Sequence, residues 1–228
     1  MGLVITGTTR LVALLGHPVA HSLSPRLQNA AFAARGIDLA YVALDVPSER
    51  LEGALRGLVE LGFVGANVTA PHKQEVARLV GADVPSVNTL VARDGRLEGF
   101  STDAAILDGL APERPVIIGD GGAAAAFLHA LPDAEVFSRR GDWPPRVDGA
   151  GVVVNATPVV DEVLVQLRPG QTLVDLPYPR SATADAAREA GADVLDGLDV
   201  LLAQGAAAFE LWTGVAAPVD VMRAAIAS

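Results

Sequence analysis

The sequence predicts an α/β protein with two domains, and three observations support this prediction. Short apolar segments alternate with amphipathic ones along almost the whole chain, as strands alternate with helices in parallel α/β architecture. Half of the 228 residues are hydrophobic but only 4% are aromatic, so Ala, Val and Leu must build the core. A second series of strands begins near Val116, directly before a cluster of glycines. The chain therefore has two α/β segments, each with its own sheet.

The first hundred residues contain five predicted strands. They are Leu11–Leu15, Tyr41–Val46, Val64–Thr69, Val87–Ala92 and Arg96–Phe100. Asp94-Gly95 between the last two is typical of a two-residue hairpin turn. Ser24-Pro25 has the pattern of a helix N-cap followed by a proline in the first turn, and Gly36 ends that helix. A second helix follows Pro47-Ser48, and Pro71 opens a third.

The second segment begins with Thr102-Asp103, which predicts a helix from Ala104 to Gly109. Together with residues 111–115, this helix is predicted to form the hinge to the second domain. Five more strands are predicted at Val116–Ile118, Glu135–Phe137, Val152–Asn155, Leu173–Asp175 and Val194–Leu195. A helix follows the glycine cluster, and Leu198–Trp212 and Pro218–Ile226 are also helical. The stretch Gly141–Arg146 is too short and too rich in proline for a helix, so we expect a loop.

Composition excludes several classes of function. A net charge of −10 disfavours nucleic acid and anionic membranes as partners. The absence of cysteine excludes disulfides and thiolate metal sites, and no metal site is predicted. No apolar run reaches the roughly 20 residues of a membrane span, and the N-terminal residues lack the pattern of a secretory signal. We therefore expect a cytoplasmic protein.

Lys73 is the single lysine of the chain, beside 16 arginines. Arginine stays protonated, whereas the pKa of a lysine amine responds to its surroundings, so Lys73 is a candidate for proton transfer. On composition alone, an isolated surface lysine that survived by chance explains it equally well.

The glycine cluster Gly119-Asp120-Gly121-Gly122-Ala123 connects a strand to a helix, as in loops that bind a pyrophosphate. An ordinary tight turn is the alternative. The next strand ends in Ser138-Arg139-Arg140, where a cofactor without a 2′-phosphate usually meets an acidic residue. A hydroxyl and two guanidiniums favour NADP(H) over NAD(H), the alternative being a solvated arginine pair.

Other small polar residues also stand at strand ends or helix starts, where the ligand cleft of an α/β protein lies. They occur in the following segments: Ser22-Leu-Ser24-Pro25, Asn67-Val-Thr69-Ala-Pro71-His-Lys73, Val87-Asn88-Thr89, Thr102-Asp103, Asn155-Ala156-Thr157-Pro158, Asp175-Leu-Pro-Tyr178 and Gln204…Phe209-Glu-Leu-Trp-Thr-Gly214. Taken singly, each has a structural explanation such as a cap or a turn. Taken together with the glycine cluster, these segments resemble, in order, the motifs of the shikimate dehydrogenase family over nearly the whole chain.

This resemblance implies reversible, NADPH-dependent reduction of 3-dehydroshikimate to shikimate, within the shikimate pathway of aromatic amino acid biosynthesis. Carried over by position, Lys73 and Asp103 would form the catalytic pair. Substrate would be bound by Ser22, Ser24, Thr69, Asn88, Tyr178 and Gln204. NADP(H) would be bound by Gly119, Gly121, Gly122, Ala123, Ser138, Arg139, Arg140, Asn155, Ala156, Thr157 and Gly197. Asn67, in the same motif as Lys73, is expected to shape the loop.

The resemblance also implies a substrate-binding α/β domain, formed by residues 1–103 and 198–228, and a reduced Rossmann-type nucleotide-binding domain at 104–197. The enzyme would be a monomer or a homodimer. The chain is short for the family, and the loop at Gly141–Arg146 is expected to remove part of the wall beside the adenosine. Asp120 brings a carboxylate into the glycine cluster. The alternatives are a quinate- or aminoshikimate-type dehydrogenase, or a catalytically weak homologue that binds a shikimate-like acid.

Overall fold

A computed structural model describes residues 4–110 and 112–227 of the chain. The chain divides into two compact units: Met1–Thr102 together with Leu202–Ser228, and Asp103–Leu201. Part of the predicted hinge, Ala111, lies outside the described residues. A short 3-10 helix, Asp103–Leu107, replaces the α-helix predicted at 104–109, and residues 108–110 and 112–115 form turns and irregular structure before the second sheet.

The sheet of the first unit has five strands in the order β2-β1-β3-β4-β5. These strands are β1 (Arg10–Gly16), β2 (Leu39–Asp45), β3 (Gly65–Val68), β4 (Thr89–Arg93) and β5 (Arg96–Phe100). The first three are parallel, and β4 and β5 are antiparallel additions at one edge. Asp94 and Gly95 join β4 to β5 with φ values of 49° and 73°, as the predicted hairpin turn requires.

Helices cover this sheet. They are α1 (Ser24–Arg35), α2 (Leu51–Glu60), α3 (Lys73–Val80), α7 (Val219–Ile226) and the C-terminal part of α6 (Gly197–Thr213). Gly36 ends α1 in the left-handed conformation, with φ of 64°, as predicted. The prediction that Ser24 is the N-cap is wrong: Ser24 is the first helical residue, and its N–H donates to Ser22 Oγ at 3.2 Å. The Ser22 hydroxyl therefore accepts an N–H group at the start of the helix, because Leu23, in the cap position, has no polar side chain to do so.

The sheet of the second unit is entirely parallel, in the order β10-β9-β8-β6-β7. Its strands are β6 (Val116–Ile118), β7 (Glu135–Phe137), β8 (Val152–Asn155), β9 (Thr172–Asp175) and β10 (Asp193–Leu195). All five lie within one residue of their predicted bounds. The strand order reverses between β6 and β8, and this reversal is the position at which open α/β sheets bind nucleotides. The predicted α/β class with a Rossmann-like second sheet is confirmed.

Two helices belong wholly to this unit, α4 (Gly122–Ala130) and α5 (Ala182–Glu189). Helix α5 was not predicted from the sequence, although Ser181 is a recognisable cap. The Ser181 hydroxyl accepts the N–H of Ala184 at 3.0 Å. No helix lies between β7 and β8, so the loop predicted at Gly141–Arg146 is confirmed.

Candidate functional site

The strand order of the first sheet reverses between β1 and β3, and the predicted substrate residues lie near the carboxyl ends of these strands. Gly16 ends β1 and Thr69 directly follows β3. A Cβ atom built on Gly16 would lie only 2.3 Å from Thr69 Cγ2, so the two loops are in close contact. The N–H of His17 donates to the carbonyl of Ala70 at 3.1 Å. The loop that carries Ser22 therefore starts against the loop that carries Thr69.

The two serines of the first loop differ in exposure. Ser22 is half-buried and Ser24 is 7% exposed. Ser22 Oγ accepts the N–H of Ser24, which leaves the hydroxyl proton available to donate to an anionic group. A carboxylate can thus be bound here without a permanent cation.

Lys73 is the first residue of α3 and is half-buried. Its backbone is fixed on both sides. The Lys73 carbonyl accepts the N–H of Val87 at 3.0 Å, and the N–H of the preceding His72 donates to Thr69 at 3.0 Å. The His72 ring is buried, with Nε2 at 2.7 Å from the carbonyl of Val46. The single lysine is therefore held at a rigid position, at the reversal point of the sheet.

Asn88 is the centre of a buried polar cluster. Its Oδ1 accepts the N–H of Thr102 at 2.7 Å, and its Nδ2 donates to Thr102 Oγ1 at 2.9 Å and to Gln204 Oε1 at 3.4 Å. Thr102 Oγ1 also donates to the carbonyl of Gln204 at 3.2 Å. The structure thus brings together two predicted substrate residues, Asn88 and Gln204. Thr102, to which the sequence analysis gave no role of its own, connects them.

Asn67 is hydrogen-bonded to this cluster and holds it in place. Its side chain accepts the hydroxyl of Tyr41 at 2.8 Å and donates to the carbonyl of Asn88 at 3.0 Å and to Thr89 Oγ1 at 3.1 Å. Asn67 is 4% exposed. These contacts agree with the expectation that it shapes the loop.

In the second unit, the glycine cluster lies at the reversal point between β6 and β8. Gly119 has φ of 127°, a conformation that other residues rarely adopt, and a Cβ built on it would lie 3.0 Å from the carbonyl oxygen of Ala156. Gly121 caps α4 and has open space in place of a side chain. The N-terminal N–H groups of α4, from Gly122 and Ala123 onward, form a site suited to an anion such as a pyrophosphate. The residues present therefore fit a dinucleotide.

The loop after β8 is held by a buried network. Asn155 Oδ1 accepts the N–H of Thr157 at 3.2 Å and its hydroxyl at 2.8 Å, and Asn155 Nδ2 donates to Asp175 at 2.7 Å. The hydroxyl of Ser181 donates to the other oxygen of Asp175 at 2.6 Å. Burial raises the pKa of Asp175, while the two hydrogen bonds oppose the rise. Asn155 consequently fixes the loop that contains Ala156 and Thr157.

A cavity of about 180 Å³ lies beside this loop and the end of β7. It is lined by Gly119, Asp120, Ser138, Arg139, Arg140, Trp143, Thr157, Pro158, Val159 and Leu164. Five of these residues were predicted to contact the cofactor; Trp143 was not. The Arg139 guanidinium lies 5.5 Å from the centre of the Trp143 ring. Trp143 is on the short loop and lines this cavity, while the expectation that the loop removes part of the wall beside the adenosine stays a prediction.

Each arginine of the predicted phosphate site is paired with a carboxylate. Arg140 donates to Asp120 from Nε at 2.8 Å and from Nη2 at 2.5 Å. Arg139 forms an ion pair with Glu162. The hydrogen bond from Arg140 lowers the pKa of Asp120, so this carboxylate is ionised at neutral pH.

The remaining predicted residues lie in the second unit. Gly197 is the first residue of α6, and a Cβ built on it would lie 2.4 Å from the carbonyl of Pro177, so only glycine fits against the loop that carries Tyr178. Tyr178 is half-buried, and Asp103 is 7% exposed at the start of the 3-10 helix.

Two further features hold for residues 4–110 and 112–227. No helix in these ranges has the length and apolar character needed to cross a membrane. No three His, Cys, Asp or Glu side chains in them are grouped so as to hold a metal ion.

Comparison with known proteins identifies the family. Residues 14–90 match the shikimate dehydrogenase substrate binding domain, and residues 197–227 match the shikimate 5′-dehydrogenase C-terminal domain. Shikimate dehydrogenase (NADP(+)) of Moorella thermoacetica is 42% identical over 96% of this chain and 92% of its own length. That alignment has 273 positions, more than the 228 residues here, so the relative contains segments that this chain lacks.

Similarity to solved structures supports the same family assignment. Shikimate dehydrogenase of Aquifex aeolicus superposes with a TM-score of 0.88 at 29% identity, covering 99% of this chain and 100% of the other. Shikimate 5-dehydrogenase of Thermus thermophilus, solved in complex with NADP(H) and shikimate, has a TM-score of 0.80 at 32% identity, covering 95% and 98%. The motifs, the fold and these similarities together show that the chain belongs to the shikimate dehydrogenase family.

Proposed function

We propose that the protein catalyses the reversible oxidation of shikimate to 3-dehydroshikimate with NADP(H). The observation that carries this proposal is the position of Lys73 at the reversal point of the first sheet, within a chain that is 42% identical to a shikimate dehydrogenase (NADP(+)) over 96% of its length. Homology supplies the reaction, and the position supplies a proton-transfer group where a ligand of this fold binds.

The residues of the first unit are suited to a small polyhydroxylated acid. The hydroxyls of Ser22 and Ser24 would donate to its carboxylate, and Thr69, Asn88 and Gln204 would bind its ring hydroxyls. Both Nδ2 protons of Asn88 are engaged within the protein, and the bond to Gln204 at 3.4 Å is the longer of the two. A substrate hydroxyl would replace this weaker bond and so contact Asn88 and Gln204 at once. Tyr178 is the third residue that the resemblance to the family assigns to the substrate carboxylate.

Lys73 would transfer the proton in both directions of the reaction. NADPH, when bound, supplies the hydride. Lys73 would donate a proton from its ammonium to the oxygen of the substrate that becomes negatively charged, and would accept the proton in the oxidative direction. Asp103 would be the second member of the catalytic pair, as the resemblance to the family implies.

The second unit would hold the cofactor. The glycine cluster and the N-terminus of α4 would bind the pyrophosphate, with Gly119 allowing close approach to the loop of Ala156 and Thr157. Ser138, Arg139 and Arg140 would meet the 2′-phosphate, and Gly197 would keep the start of α6 close to the cofactor site. We further propose a cytoplasmic enzyme that is a monomer or a homodimer. The cysteine-free composition supports a reducing compartment, and light scattering after size exclusion would determine the oligomeric state.

The test is the initial rate of shikimate oxidation with NADP+ and with NAD+. We expect turnover with both, and a higher kcat/KM with NADP+. Lys73→Met should lower kcat by orders of magnitude while shikimate still binds in calorimetry. Lys73→Arg should be similarly inactive, because a guanidinium retains the charge but does not release its proton. Gln74→Met, at the exposed next position on α3, is the matched control and should keep full activity. Normal turnover of both Lys73 variants would contradict the proposed role.

The alternative functions are not favoured by the relatives, which carry the name shikimate dehydrogenase (NADP(+)). Rates with quinate and with shikimate, measured side by side, separate the quinate-type activity from the proposed one. The complete absence of shikimate-dependent NADPH formation would favour a homologue that only binds the acid.

A further inference from the structure

We propose that Asp120 is a specificity-determining residue, which competes with the 2′-phosphate of NADP(H) for Arg140 and so reduces the discrimination between NADP(H) and NAD(H). This inference rests on the proposed function, since it concerns the cofactor of the same reaction. It concerns a residue inside the glycine cluster that the cofactor assignment leaves without a role.

The geometry of the pair carries the inference. Asp120 takes two adjacent donors of Arg140, Nε at 2.8 Å and Nη2 at 2.5 Å, and this forked arrangement is also the one in which a guanidinium binds a phosphate. Both residues line the cavity at the end of β7. A 2′-phosphate that uses the same edge of Arg140 must therefore displace the carboxylate.

The net charge of the side chains around Arg140 supports the same inference. Arg139 is paired with Glu162 just as Arg140 is paired with Asp120, so the four side chains together carry no net charge. The pairs are accessible, with 80% of the Arg140 side chain exposed, so a bound phosphate can reach the guanidiniums. A phosphate dianion thus meets a neutral group of side chains in place of two cations. Removal of the Asp120 charge should strengthen its binding, and the strengthening should decrease with salt.

The experiment measures binding to the intact protein by calorimetry, with two fragments of the cofactor. Adenosine 2′,5′-bisphosphate carries the 2′-phosphate, and adenosine 5′-monophosphate lacks it. Asp120→Asn should raise the affinity ratio of the first fragment over the second by about fivefold at low ionic strength, and by less in 0.5 M salt, since the effect is one of charge. The same variant should raise the ratio of kcat/KM for NADP+ over NAD+.

Asp148→Asn is the matched control. Asp148 forms the same type of exposed pair with Arg168, at 3.0 Å, and does not line the cavity, so its variant changes net charge equally without altering a residue of the site. Its fragment ratio should equal that of the wild type. An unchanged ratio for Asp120→Asn would overturn the inference because it would show no competition, and a lower ratio would overturn it because it would mean that Asp120 orients Arg140 for the phosphate. Fragment binding does not depend on turnover, so absence of shikimate oxidation would contradict the proposed function alone.

Discussion

Asp175 connects two loops of the second unit, and its removal should destabilise that unit measurably. The carboxylate accepts one hydrogen bond from Asn155 at 2.7 Å and one from Ser181 at 2.6 Å, and all three residues are buried. Asp175→Ala leaves both donors without an acceptor. Each unpaired buried donor costs about 1–3 kcal/mol, and the relief of a buried carboxylate offsets part of this cost, so we expect a loss of about 3 kcal/mol in the free energy of unfolding.

Asp175→Asn should be much milder. The amide oxygen can accept from Asn155, and the amide nitrogen can donate to Ser181 Oγ, which already accepts from Ala184. We expect a change of about 1 kcal/mol or less at neutral pH. The two substitutions therefore separate loss of the hydrogen bonds from loss of the charge.

The pH dependence has a definite sign. Burial raises the pKa of Asp175 above its ordinary value of 3.8. In the folded state the carboxyl therefore keeps its proton to a higher pH than in the unfolded state, and its contribution to stability is present at low pH and is lost as the pH rises through the folded-state pKa. The stability of the wild type relative to Asp175→Asn should decrease as the pH rises from 4.

Urea denaturation followed by circular dichroism at several pH values measures these differences. Asp148→Asn serves as a control, because Asp148 is exposed and pairs only with the exposed Arg168 among the described residues. An alanine variant as stable as the wild type would refute the network as a stabilising element. A wild type that becomes more stable relative to Asp175→Asn as the pH rises would refute the stated origin of the pKa shift.

Three further substitutions test the proposed substrate site of the first unit and the proposed cofactor site of the second. Gly16→Ala should raise the KM for shikimate several-fold with little change in the KM for NADP+, because the added Cβ lies 2.3 Å from Thr69 Cγ2 and must displace that side chain; steady-state kinetics check this split. Gly119→Ala should weaken NADP+ binding in calorimetry by at least tenfold, because a residue with a Cβ is strained at φ of 127°. Trp143→Ala should weaken binding of adenosine 2′,5′-bisphosphate by roughly tenfold, because it removes the one aromatic side chain among the residues that line the cavity, whereas Trp143→Phe should retain most of the affinity.

All ten strands in the described part of the chain could be predicted from the sequence because their signals are local. Val116–Ile118 and Val152–Asn155 are short apolar runs between glycines and polar residues, and such runs form buried parallel strands in almost any α/β context. Helix α5 was missed because its buried face consists of Thr183, Ala184 and Ala187 and has no large apolar side chain, although its cap, Ser181, could have indicated it. The role of Trp143 was missed for a related reason: the tryptophan is on an irregular loop, and only the tertiary structure brings it under Arg139.

The same limit applies to charge. The sequence shows Ser138-Arg139-Arg140 as a cationic segment, and this pattern favours a phosphate. The carboxylates that pair with these arginines come from the glycine cluster and from Glu162, far away in the chain. Local sequence indicates which ligand a site could attract, but the net field depends on residues that meet only after folding.

Helix α6 belongs to both units, since the division falls between Leu201 and Leu202 within a continuous 17-residue helix. The second unit is therefore an insertion in the first. Residues 202–227 complete the first unit through bonds such as Gln28 Nε2 to the carbonyl of Gly205 at 2.8 Å and Trp212 Nε1 to the carbonyl of Leu90 at 2.9 Å. The polypeptide of the second unit is therefore synthesised before the last segment of the first unit, so the first unit can complete its fold only after the whole second unit has been made.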